Sequence, residues 1–167
     1  MEVSYCDRWH RYLKEIIHQI EVDEARALHD SGKPYTVILG ESRSPFCFIE
    51  INLGCYGVSF LDEQKREYLM YTFEDTHDGR LFLKEAIWRE FIGRSDEVKK
   101  GTAYHFSQEG TVSIEDVEHP FHQSTVREHS LDVSANWESR PEFGEYEALA
   151  RKDRQLSRDS TYSDREL

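Results

Sequence analysis

The sequence predicts an α+β protein: an antiparallel β-sheet meander with an N-terminal amphipathic helix and a second helix near 79–93. Three observations lead there. Apolar residues Trp9, Tyr12, Leu13, Ile16, Ile17 and Ile20 recur at the i, i+3, i+4 spacing of a helix. Residues 35–73 alternate short apolar runs with polar or glycine-bearing breaks, the pattern of strands and turns. Leu81, Phe82, Ala86, Ile87, Phe91 and Ile92, flanked by Trp88, repeat the helical spacing.

Taken in order, the first helix has Ala25 and Leu28 as an extension of its stripe. It stops near Ser31-Gly32-Lys33-Pro34, where glycine supplies a left-handed cap and proline blocks continuation. Strands follow at Tyr35–Leu39, Pro45–Leu53, Tyr56–Leu61 and Glu67–Phe73. In CFIEINLG the polar Glu50 and Asn52 alternate with Ile49 and Ile51, which suits a strand with one wet face. The polar stretch DEQKRE, Asp62 to Glu67, joins two apolar runs, so Tyr56 to Phe73 reads as a hairpin. Turn and cap residues in Glu74 to Gly79 precede the second helix, which ends near Gly93. Short β-like runs resume at Thr102–Phe106, Thr111–Val117 and Thr125–Trp137, with Gln108-Glu109-Gly110 as a turn. Residues 1–147 form one α+β domain in this reading, and the polar residues 148–167 a flexible or peripheral tail.

Charge bounds the function. The chain carries 33 acids against 21 bases, a net of −12, which repels nucleic-acid phosphates and anionic lipid and so argues against either as partner. The excess is uneven: residues 101–147 hold ten acids and only Arg127 and Arg140, a net of −8. Cys6, Cys47 and Cys55 are odd in number and form no CxxC, so free thiols in a cytoplasmic protein are expected, with neither disulfide framework nor zinc site. The charged N-terminal residues offer no signal peptide or membrane span.

Two groups invite chemistry. EDVEHPFHQ, residues 115–123, places His119 and His122 beside Glu115, Asp116 and Glu118, with His129 seven residues beyond His122. These types bind divalent metals, but the spacing matches no common metal motif, and Pro120 favours an extended or turn backbone. Cys47 and Cys55 suggest a nucleophile, yet neither sits at a glycine-flanked elbow, and buried cysteine ordinarily packs as a small hydrophobe. No catalytic residue, cofactor or metal ligand is therefore assigned. Residues 137–146, WESRPEFGEY, mix aromatic anchors with acids, the composition of many protein interfaces.

With the β block FCFIEINLGCYGVSFLDEQKREYLMYTFE and the acidic stretch SIEDVEHPFHQ, the chain resembles the immunity proteins that bacteria encode beside polymorphic or contact-dependent toxins. The resemblance implies a stoichiometric inhibitor that covers a cognate, basic toxin domain. Its expected contact residues are Glu115, Asp116, Glu118, Glu128 and Asp132 for steering, with Phe121, Trp137 and Phe143 as anchors and Glu138 and Glu142 beside them. The competing expectations are a small metal-dependent hydrolase using His119 and His122, and an adaptor or effector chaperone that engages a helix through Trp9, Leu13, Ile16 and Ile20.

Overall fold

The computed structural model describes residues 2–119 and 123–156. Among them the chain is mostly antiparallel β-structure. The strands are β1 (Val3–His10), β2 (Glu15–Ile20), β3 (Tyr35–Glu41), β4 (Ser44–Asn52), β5 (Cys55–Leu61), β6 (Glu67–Asp75), β7 (Arg80–Phe91), β8 (Val98–Phe106), β9 (Thr111–Glu118), β10 (Gln123–Ser130) and β11 (Trp137–Ser139). One helix, α1 (Val22–Asp30), follows β2. The strands run as a meander in the order β10-β9-β8-β7-β6-β5-β4-β3-β1-β2. β7 is long enough to take two neighbours on one side: β8 pairs Glu85 to Phe91, and β11 pairs Arg80 to Phe82.

The expected α+β class is thus wrong, and both errors have a physical cause. The proposed first helix is the β1–β2 hairpin: Trp9 pairs Ile16 and Arg8 pairs Ile17, while Tyr12 and Leu13, taken as part of the apolar stripe, are exposed turn residues. Lys14 N–H closes that turn on the His10 carbonyl at 2.7 Å, with Lys14 left-handed at φ 55°. Isoleucine at 16, 17 and 20 suits a pleated strand, and pairing with β3 overrides the weak local preference for helix. The proposed second helix is β7. A β-bulge sets Thr72 opposite Glu85 and Phe73 opposite Leu83, leaving Lys84 as the extra residue. Leu81, Phe82 and Leu83 are all buried and the next core residue is Ala86, so the three-residue step across the bulge mimics a helical period.

Two layers cover the sheet. On one face Val37, Ile49, Val58, Phe60, Tyr71 and Leu83 form the main core, beneath Ala25 of α1 and Tyr146 and Leu149 of a strap formed by residues 137–156. On the opposite face Cys6, Ile38, Phe48 and Leu61 pack with Trp9 and Ile16, where the β1–β2 hairpin folds back over the sheet. Trp9 stacks on Phe48 at 5.7 Å. The hairpin tip is held by Arg11, which donates to Glu50 on β4 at 2.7 Å and to Glu67 on β6 at 2.9 Å. The main-face turn after α1 is fixed by Gly32 at φ 65°, after which Lys33 N–H donates to the Leu28 carbonyl at 2.8 Å.

The hairpin geometry separates two substitutions that the helical stripe would make alike. Trp9→Ala, in the second core, is expected to cost ~3 kcal/mol in urea denaturation, whereas Tyr12→Ala, 88% exposed, should change stability by under ~0.5 kcal/mol. Equal losses at both positions would contradict the hairpin.

Candidate functional site

The residues singled out in the sequence divide between two places. Glu115, Asp116 and Glu118 lie on β9 and Glu128 on the outer strand β10. Asp116 faces the core side, where its carboxylate accepts from Thr102 Oγ1 at 2.6 Å and from the Arg127 guanidinium at 2.8 Å. Glu115 points to the other face, paired across the ladder with Ala103 and Val126. Glu118 and Glu128 are exposed, and neither forms an ion pair among the described residues. Phe121 and His122 lie outside the described residues. His119 is half-buried and its backbone N–H donates to the Lys99 carbonyl at 3.0 Å.

The other group builds the strap. Trp137 packs on Phe82, ring centres 4.9 Å apart, with the Arg80 guanidinium 4.5 Å over its face. Glu138 accepts from Arg154 at 2.7 Å and also from Arg151. Arg154 is only 3% exposed and lies 4.9 Å over the Phe73 ring, so Glu138 neutralises a cation inside the main core. Asp132 caps the following turn by accepting from the Ser134 N–H at 2.9 Å, and that bond holds its carboxyl below the usual range. Phe143 stacks on Tyr5 at 5.1 Å and receives the Arg26 guanidinium at 4.4 Å and the edge of His29. Trp137, Glu138, Asp132 and Phe143 therefore have internal structural duties.

Those duties create a surface that the sequence does not show. Phe143 lies against Arg26 and His29 of α1, and Tyr146 donates to or accepts from Tyr35, which meets His29 Nδ1 at 2.8 Å. Residues 142–147 consequently run beside the helix. Glu21, Asp23, Glu24 and Asp30 on or beside α1 and Glu142, Glu145 and Glu147 on the strap are all exposed. None of these seven carboxylates forms an ion pair among the described residues. Residues 21–30 and 142–147 hold these seven acids and one base, Arg26, a net of −6, half the −12 of the whole chain. His29 lies within this field. Burial pulls its imidazole below the usual histidine range, against the opposing pull of Asp30 and Glu142.

The helix acids escaped the sequence reading because residues 21–30 were read only as an extension of a longer helix, through Ala25 and Leu28. The signal was present in EVDEARALHD, four acids in ten residues, but nothing in the sequence placed them beside residue 142.

The chemistry considered for the thiols and histidines finds little support. Burial pushes the Cys6 thiol up to about 12 and moves Cys47 and Cys55 the same way, so none is a ready thiolate at neutral pH. Among the described residues no three His, Cys, Asp or Glu side chains converge to hold a metal. His10 Nδ1 accepts from the Leu13 N–H in the hairpin turn, and His18 pairs with Asp7 at 2.8 Å. No described helix is long and apolar enough to cross a membrane. The chain matches no family model, no curated protein and no solved structure.

Removing the Glu138 carboxylate tests the strap. Glu138→Ala leaves Arg154 charged and unpaired in the core and is expected to cost ~3 kcal/mol in urea denaturation. A cost below ~0.5 kcal/mol would place Arg154 in solvent instead.

Proposed function

We propose that this protein is a non-enzymatic inhibitor of the immunity type, which binds and neutralises a cognate protein with a basic surface. The observation that carries the proposal is the acidic face of α1 and residues 142–147, where seven exposed carboxylates stand without ion pairs among the described residues. A partner cleft evolved to hold an anionic substrate presents cations, and a dense carboxylate field draws such a cleft in and substitutes for the substrate's charge. The rigid mounting of these acids on a packed helix and a strap pinned by Phe143 lowers the entropy lost on docking. Val22, 52% exposed between Glu21 and Asp23, offers apolar contact beside them.

In this reading the contact residues move from the expected β9–β10 acids to Glu21, Asp23, Glu24, Asp30, Glu142, Glu145 and Glu147. Glu142 belongs to both sets. Glu115, Glu118 and Glu128 extend the negative field as steering charges. A cytoplasmic location, where an immunity protein meets an incoming or newly made toxin, belongs to the same proposal.

The test is co-expression with the protein encoded by the adjacent gene. A stable complex and loss of that protein's toxicity are expected. The triple variant Asp23→Lys, Glu142→Lys, Glu145→Lys should weaken the complex about 100-fold or more, chiefly by slowing association and flattening its salt dependence. A neighbour that does not bind, or that binds the triple variant with unchanged affinity, would overturn the proposal.

A further inference from the structure

A second polar site lies on the sheet face opposite the main core. The β1–β2 turn, the β5–β6 turn and the connection from β7 to β8 border an open groove of about 430 Å³, a volume within the range of small-molecule sites. Five cations line it: Arg11, Lys14, Lys65, Arg66 and Arg89. Two acids, Glu67 and Asp96, share the lining, and Glu50 and Asp62 stand behind it, which leaves five positive charges against four negative. In a chain of net −12 this local surplus of cations is anomalous.

Three of the cations have structural duties. Arg11 bridges Glu50 and Glu67, and Lys14 pairs with Asp96 at 2.5 Å. Arg66 pairs with Asp62 at 2.7 Å and donates to the carbonyls of Gly93 and Ser95. Arg11 and Lys14 clamp the hairpin over the sheet, and Arg66 ties the β5–β6 turn to the β7–β8 connection, which explains these three. These roles do not explain Lys65 or Arg89, neither of which meets a carboxylate among the described residues. Lys65 Nζ has one acceptor, the Lys14 carbonyl at 3.4 Å. Arg89 Nη1 donates to the Glu67 carbonyl at 3.3 Å and touches Met70 Sδ, leaving Nε and Nη2 without a partner among the described residues.

The backbone points the same way. Lys14 and Lys65 sit at φ 55° and 56°, left-handed positions that glycine or asparagine would occupy at lower cost. Two facing turns thus carry lysine at strained positions on the rim of one groove, and such strain is characteristic of ligand-holding sites. Tyr12, almost fully exposed, presents a flat ring beside the cations.

We propose that this groove binds a small phosphorylated ligand, with Arg89 and Lys65 as the phosphoryl contacts and Tyr12 against the organic part. A guanidinium with two unspent donors matches two oxygens of a phosphate, and an adjacent ammonium serves the third. Three clamped cations behind them hold the groove open without reorganisation. The acidic remainder of the surface is screened beyond about 8–10 Å in physiological salt, so the local cations govern the site. This site is independent of the acidic face.

Isothermal titration of the intact protein at physiological ionic strength tests it with three probes: adenosine monophosphate, inorganic phosphate and adenosine. Adenosine monophosphate is expected to bind with a Kd below about 1 mM, phosphate more weakly, and adenosine not at all. Phosphate binding as tightly as the nucleotide would identify free phosphate as the source and still support the site. Lys65→Gln with Arg89→Gln should weaken nucleotide binding at least about tenfold, while Arg43→Gln, on an exposed turn elsewhere, leaves it unchanged. If the double variant fails to fold, Lys65→Gln alone and Arg89→Lys, which keeps the charge and loses the fork, must each weaken binding. Silence with both phosphate-bearing probes, adenosine binding as well as its monophosphate, or undiminished binding in the variants would overturn the proposal.

Discussion

An open antiparallel meander of ten strands has two faces, and its centre can be stable only if both are covered. The alternation along each strand enforces this: β4 sends Cys47, Ile49 and Ile51 to one side and Phe48 to the other, and β5 sends Val58 and Phe60 to one side and Leu61 to the other. The chain meets the constraint with its two ends. The N-terminal hairpin folds over one face, placing Trp9 on Phe48, while α1 and the C-terminal strap close the other through Ala25, Tyr146 and Leu149. Both lids are fastened by charge as well as by packing. Arg11 holds the hairpin to Glu50 and Glu67, and Glu138 holds the strap to Arg151 and Arg154.

The two proposed surfaces follow from how the lids are held. Fastening the strap through Phe143 against Arg26 and His29 lays residues 142–147 along α1 and merges two acidic segments more than a hundred residues apart. Fastening the hairpin across β4 to β7 brings the β1–β2 and β5–β6 turns face to face, and the cationic groove opens between them. One lid therefore produces a negative face and the other a positive recess. The outer strands remain guarded against further pairing. His18, at φ 51°, interrupts the β2 ladder between Ile17 and Gln19, and β10 carries Arg127, Glu128 and His129 in succession.

How much of this was legible in the sequence depended on the regularity of each element. The strands from 35 to 75 are short apolar runs bounded by polar or glycine-bearing turns, so their positions could be read to within about two residues. β7 could not be read because its bulge at Lys84 converts a two-residue period into a three-residue step. β1 and β2 could not be read because their turn residues Tyr12 and Leu13 are apolar and exposed, completing a helical stripe that no helix uses. Trp137, Glu138 and Phe143 were expected to contact a partner, and their contacts here are Phe82, Arg154 and Tyr5 within the same chain. The acidic character of residues 101–147 was visible in composition. Its concentration with α1 was not, since it depends on tertiary contacts that leave no local pattern.

The account rests most heavily on the acidic face of α1 and residues 142–147 being the surface that meets a basic partner. Hydrogen–deuterium exchange of the protein, free and in complex with the product of the adjacent gene, tests this most directly. The account predicts slowed exchange in residues 22–30 and 142–147 on binding, with β9 and β10 little changed. Protection confined to β9 and β10, or to the cationic groove, with α1 and 142–147 unaffected, would contradict it.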